Sequence, residues 1–141
     1  MRSRLAVAAG LTCVLLLFVV SCDEGIDDWS SSAKITGYVY TDRTHTRGVE
    51  GVQVILEADI ESETPYEGPD RWTTTNASGY FEGNIFLGNE EGDYKYVADL
   101  DVAYFWHGKS FRWGGGVTVG PGSHFTLPPV DTTMFAPMGG E

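Results

Sequence analysis

Cysteine is scarce in this 141-residue chain: there are two, Cys13 and Cys22, and both lie in the first 22 positions. From Asp23 onward there is no thiol, which excludes a disulfide framework, a thiolate metal site and a cysteine nucleophile there. Basic charge is scarce as well, with nine Lys and Arg against 20 Asp and Glu and a net charge of −11. Arg2 and Arg4 precede Ser21 and every acidic residue follows it, so the rest of the chain carries seven cationic against twenty acidic side chains, a net of −13. Such a surface repels phosphate backbones and excludes nucleic acid as a partner class. Its simplest consequence is solubility and self-repulsion. A helical period is missing over any useful length. Long apolar runs number one, from Leu5 to Val20, and it is shorter than the roughly 20 residues of a spanning helix.

That run follows Arg2 and Arg4 and is closed by Ser21, Cys22, Asp23 and Glu24, the layout of an export signal. Its end, Val19-Val20-Ser21-Cys22, resembles the bacterial lipobox. The resemblance implies a diacylglycerol thioether on the Cys22 sulfur, cleavage before Cys22 and acylation of the new amine, with palmitate as a typical chain. Each buried methylene contributes about 0.8 kcal/mol, so two or three long chains hold a protein on a bilayer where one does so marginally. The partner expected through Cys22 is therefore the membrane, and the location the bacterial cell envelope. Asp23, directly after Cys22, resembles the inner-membrane retention signal of enteric bacteria, while other groups follow other rules, so inner and outer membrane both stay open. An ordinary signal peptide with an incidental cysteine is the alternative.

Removal of residues 1–21 leaves 120 residues, enough for one domain. Residues 22–33 are acidic and serine-rich, with Ile26 and Trp29 as the sizeable apolar groups, and read as a flexible tether. Strand signals then come in series. Ile35, Gly37 and Val39 alternate with Thr36, Tyr38 and Tyr40; Val52, Val54 and Leu56 alternate with Gln53, Ile55 and Glu57. Runs at 72–75, 80–86, 94–105, 111–113, 117–119 and 124–127 follow. With 18 glycines and many β-branched and aromatic residues, the pattern predicts an all-β fold, a single antiparallel β-sandwich, over residues 34–130 with a C-terminal tail at 131–141. Asn76-Ala77-Ser78-Gly79 is a turn candidate, because the Asn76 side chain can bond the backbone two residues on and Gly79 can take positive φ. The same Asn76-Ala77-Ser78 triplet matches a glycosylation sequon, which would need a eukaryotic secretory route.

Ile35-Thr36-Gly37-Tyr38-Val39, Gly51-Val52-Gln53-Val54-Ile55-Leu56, Thr75-Asn76-Ala77-Ser78-Gly79-Tyr80-Phe81 and Gly92-Asp93-Tyr94-Lys95-Tyr96 follow one another in order. In that order they resemble the carboxypeptidase regulatory-like domain, a transthyretin- or prealbumin-like, Ig-like sandwich. Asn76 stands where that pattern usually has aspartate, and the loop after Leu56 is long. The resemblance implies a non-catalytic structural or interaction module, with no cofactor and no catalytic residue.

Other chemistry finds little support in the residues. His45, His107 and His124 lie far apart, without the spacing of a compact metal site, and no metal is expected. The His-x-His pair that a related dioxygenase would need is missing, and so is the C-terminal Tyr-Arg-Gly-Ser of hydroxyisourate hydrolases. Two acidic groupings, Asp59 with Glu61 and Glu63, and Glu90 with Glu91 and Asp93, supply part of a calcium shell but not the spacing of a hand-type loop. Tyr104, Phe105, Trp106, Phe111 and Trp113 crowd around a short turn. Strand alternation sends Tyr104 and Trp106 to one face and Phe105 to the other. Either the cluster closes the sandwich by cross-strand packing, or Tyr104, Trp106, Phe111 and Trp113 contact an envelope protein or a glycan; a mixed arrangement is expected, with Phe105 and one tryptophan buried and the other tryptophan partly exposed. The function expected is a membrane-anchored, non-enzymatic envelope lipoprotein acting as a structural or interaction module, with a carbohydrate-binding module as the alternative.

Overall fold

The computed structural model describes residues 31–87 and 97–139. Cys22, the signal, most of the tether and the Glu90–Asp93 grouping lie outside the described residues. Among the described residues nine strands fall in the order β1 Ser32–Tyr40, β2 Gln53–Ala58, β3 Arg71–Thr74, β4 Tyr80–Phe86, β5 Ala98–Trp106, β6 Lys109–Val119, β7 His124–Thr126, β8 Val130–Asp131 and β9 Ala136–Pro137. One 3-10 turn, Thr132–Met134, sits between the last two. One sheet has the order β4-β1-β7 with β8 also on β1, and the other runs β3-β2-β5-β6-β9. The chain is thus an all-β sandwich, built largely from antiparallel pairs.

Period-two alternation decides which residues enter the core, since successive side chains of a strand point to opposite faces. Ile35 and Val39 of β1, Phe81 and Ile85 of β4, Val54 and Leu56 of β2, and Leu100, Val102 and Tyr104 of β5 are all at most 1% exposed. Burying each of the larger aliphatic chains contributes about 1.5–3 kcal/mol relative to exposure. Gly37 shares the inward face of β1 because a Cβ there would lie 2.7 Å from the Phe81 ring, so the missing side chain is the space that Phe81 fills. β7 and β8 pair with β1 in parallel at Lys34–Thr36 and Val39–Tyr40. Between them come Pro128 and Pro129, which have no N–H to give and so interrupt the ladder.

The sandwich has two distinct ends. At one, Ser31 and Ser32 accept hydrogen bonds from Leu87 and Gly122, so the described chain begins there. At the other, Val49 donates to Val39 and Gly51 to Thr75, which brings the start of β2 and the Asn76 turn to the end of β1. Gln53 pairs with Phe105, so the β5–β6 hairpin lies at this second end as well. Nine residues of β5 at about 3.3 Å each put the two ends roughly 25 Å apart.

The residues read as a C-terminal tail are a correction. Asp131 pairs with Tyr40, Ala136 pairs with Ser110, and Phe135 between them is 7% exposed. The segment crosses from one sheet to the other and is folded through Pro137, because an aromatic side chain four residues past Asp131 reaches the core.

Candidate functional site

The hairpin end is built on a two-residue turn. His107 and Gly108, with φ of 47° and 70°, join Trp106 to its cross-strand partner Lys109. Positive φ at both central residues is the type I′ geometry, whose twist matches that of the strands it connects. Across the hairpin Tyr104 opposes Phe111 and Val102 opposes Trp113, so Tyr104, Trp106, Phe111 and Trp113 share the face turned toward the core. Tyr104 is 1% exposed and touches Phe81, Phe111 and Phe135 at ring separations of 5.9, 5.9 and 6.3 Å. Burial pushes its phenol far above its ordinary range. Trp106, Phe111 and Trp113 are half-buried against the same core.

Tyr104 therefore has no surface with which to contact a partner. Nor do the four residues together make one flat exposed platform, because cross-strand register puts all of them on the inward face. Phe105 is the aromatic that points outward, and it is half-exposed, not buried. Alternation separates Phe105 from Tyr104, but only the second sheet defines which side is inside.

Around Phe105 lies an open cleft of about 540 Å³ lined by Glu50, Gly51, Gln53, Phe105, Trp106, His107, Gly108 and Met138. Trp106 meets the His107 ring edge-on at 4.5 Å. Met138 is 51% exposed, and its N–H donates to the Gly108 carbonyl at 2.9 Å, which brings the chain's last described turn to the rim. Glu50 and Gln53 were not singled out in the sequence. Nothing local marks them, since their place at the cleft depends on the pairing of β2 with β5.

A second cleft, about 520 Å³, lies farther down the outer face of the same sheet, between Glu57, Asp59, Glu61, Asp101 and Arg112. Arg112 Nη1 is 3.2 Å from Asp101 and 2.5 Å from Glu57 Oε1, the latter an ion pair without hydrogen-bond direction. Its floor is opened by a bulge. Leu100 and Val102 of β5 are two residues apart, yet their partners Val117 and Trp113 are four apart, and Gly114-Gly115-Gly116 takes up the excess with Gly116 at φ 62°. Among the described residues no group of three or more His, Cys, Asp or Glu side chains is placed to hold a metal ion. Asp99 lies beside this region, and its carboxylate accepts from Ser62, Thr118 and Thr64, which holds it below the usual carboxylate range.

The remaining residues of interest are dispersed. In the turn before β4, Asn76 Oδ1 accepts from the Ser78 and Tyr80 N–H groups at 2.9 and 3.1 Å, and Gly79 has φ 80°. His124 Nε2 is 2.9 Å from Thr36 Oγ1, and His45 stacks on Tyr40 at 4.9 Å. Tyr40 stacks in turn on Tyr38 at 5.9 Å with an interplanar angle of 11°. These rings turn faces to one another, so the row braces the outer side of β1.

No protein-family model and no curated protein matches the chain. Solved structures similar to it include an (S)-allantoin synthase, with a TM-score of 0.45, 16% identity, and coverage of 79% of this chain and 45% of that one. A DUF3823 family protein from Parabacteroides merdae has a TM-score of 0.39, 15% identity, and coverage of 77% and 47%. The dioxygenase domain of a dioxygenase carbohydrate-binding protein fusion from Streptomyces sp. SirexAA-E has a TM-score of 0.40, 15% identity, and coverage of 72% and 82%. The chain spans less than half the length of the first two. The class that the fold defines is the β-sandwich module. The expectation of a non-enzymatic module is corrected here: two of these three structures are an enzyme and an enzyme domain, and the exclusion of catalysis is withdrawn.

Proposed function

We propose that this protein is a lipid-anchored component of the bacterial cell envelope, a carboxypeptidase-regulatory-like sandwich that serves as a structural or interaction module and works through the cleft at its hairpin end. The observation that carries the reading is the polarity of the sandwich. The chain enters at Ser32, and the cleft around Phe105 lies at the opposite end. An anchor on Cys22 then leaves the cleft pointing away from the bilayer, where an envelope partner can reach it. Val19-Val20-Ser21-Cys22 supplies the anchor, and the acidic, serine-rich stretch after it supplies the reach.

Two measurements test this. Mass spectrometry of the mature terminus should find Cys22 carrying a diacylglyceryl thioether, and Cys22→Ala should leave the precursor unprocessed or released with the melting temperature unchanged. Because the chain has no thiol after Cys22, Gly108→Cys and Ser123→Cys each give a unique labelling site. In vesicles with a lipid-borne quencher, a fluorophore at 123 should be quenched more than one at 108. An unmodified terminus beginning elsewhere, or stronger quenching at 108, overturns the reading.

A further inference from the structure

The geometry points to a neutral glycan as the ligand of the hairpin-end cleft, an inference that rests on the interaction-module reading above. The chemistry of the lining is what a sugar ring requires. A pyranose has an apolar face of C–H groups and a rim of hydroxyls that each donate and accept. Half-exposed Phe105, the aromatic on the outward face, offers ring surface for the first. The Gln53 amide, the Glu50 carboxylate and the His107 imidazole offer planar donors and acceptors for the second. Gly51 and Gly108 add backbone that no side chain covers, with nothing within 4 Å of where a Cβ would stand.

Two further observations narrow the class. An extended peptide would join such a domain by adding a strand to a sheet edge. Beside the hairpin turn the β6 edge is taken, since β9 pairs with Lys109 and Ser110 and Met138 bonds Gly108. Anionic polymers are disfavoured by charge, because seven cationic side chains face twenty acidic ones after Ser21, and Glu50 stands in the cleft itself. An uncharged polysaccharide meets neither obstacle.

The test is native affinity electrophoresis of the detergent-solubilised full chain in gels containing xyloglucan, mixed-linkage β-glucan, galactomannan, glucomannan or glycogen, with alginate and polygalacturonate as anionic probes. Retardation by at least one neutral polymer and by neither anionic one is expected. Phe105→Ala and Gln53→Ala should each weaken that retardation at least tenfold while melting like the parent, because both side chains point away from the core. No retardation in any neutral gel, retention by the anionic polymers alone, or undiminished retention of both variants overturns the inference. The interaction-module reading fails separately. If a photoreactive residue in place of Gly108 crosslinks a defined envelope protein while every neutral gel is silent, the module stands and the glycan does not.

Discussion

Gly79→Ala separates two reasons for which a glycine stands in a turn. Its φ of 80° is the left-handed region, which costs an L-residue about 1–2 kcal/mol. Its Cβ would also lie 2.2 Å from the Val39 carbonyl oxygen, 2.8 Å from Gly48 Cα and 3.0 Å from the Val49 nitrogen. All three are backbone, so no side chain can rotate away. The turn must move, and with it the hydrogen bonds from Val39 N to Gly79 O and from Val49 N to Val39 O, both 2.9 Å. Each contributes about 0.5–1.5 kcal/mol. The whole cost is then about 2–5 kcal/mol, a large part of the roughly 5–15 kcal/mol of a small domain. Gly51→Ala is the matched control, with φ of 82° and nothing within 4 Å of its Cβ, so it should lose about 1–2 kcal/mol and no more. At roughly 4 °C per kcal/mol for a domain of this size, the two melting temperatures should differ by about 4–12 °C in scanning calorimetry. Equal melting of the two variants refutes the close-approach argument and leaves only the dihedral.

Asp99 should give the fold an acid-sensitive component. Its carboxylate is held below the ordinary range chiefly by the Ser62 hydrogen bond, then by Thr118, with burial opposing and Thr64 adding to them. A depressed folded-state value stabilises above the unfolded value of about 3.9, and that contribution is lost as the pH falls through the folded one. Asp99→Asn should therefore melt below the parent at pH 7, and the gap should close below about pH 4; a gap constant from pH 7 to pH 2 refutes this. Phe135→Ala should cost about 3–5 kcal/mol if the crossing segment is part of the core, read from the urea midpoint, and a loss under 1 kcal/mol returns residues 131–137 to the status of a tail.

What the sequence determined by itself was local. Alternation along single strands distinguishes Ile35 from Thr36 and Val54 from Ile55 before any partner is known, because the period of a strand is fixed by its own backbone. Gly79, two residues past an alanine in an Asn-initiated turn, is legible for the same reason. The register between β2 and β5 was not, and it alone brings Gln53 beside Phe105 and so forms the cleft. Alternation also leaves a strand's two faces equivalent until a second sheet covers one of them, which is why Tyr104 and Phe105 could be told apart but not assigned to inside and outside. The crossing at Phe135 was not legible either, because its contact with Tyr104 joins residues 31 positions apart. Pairings of that kind depend on the free energy of the whole sandwich, and no segment carries them alone.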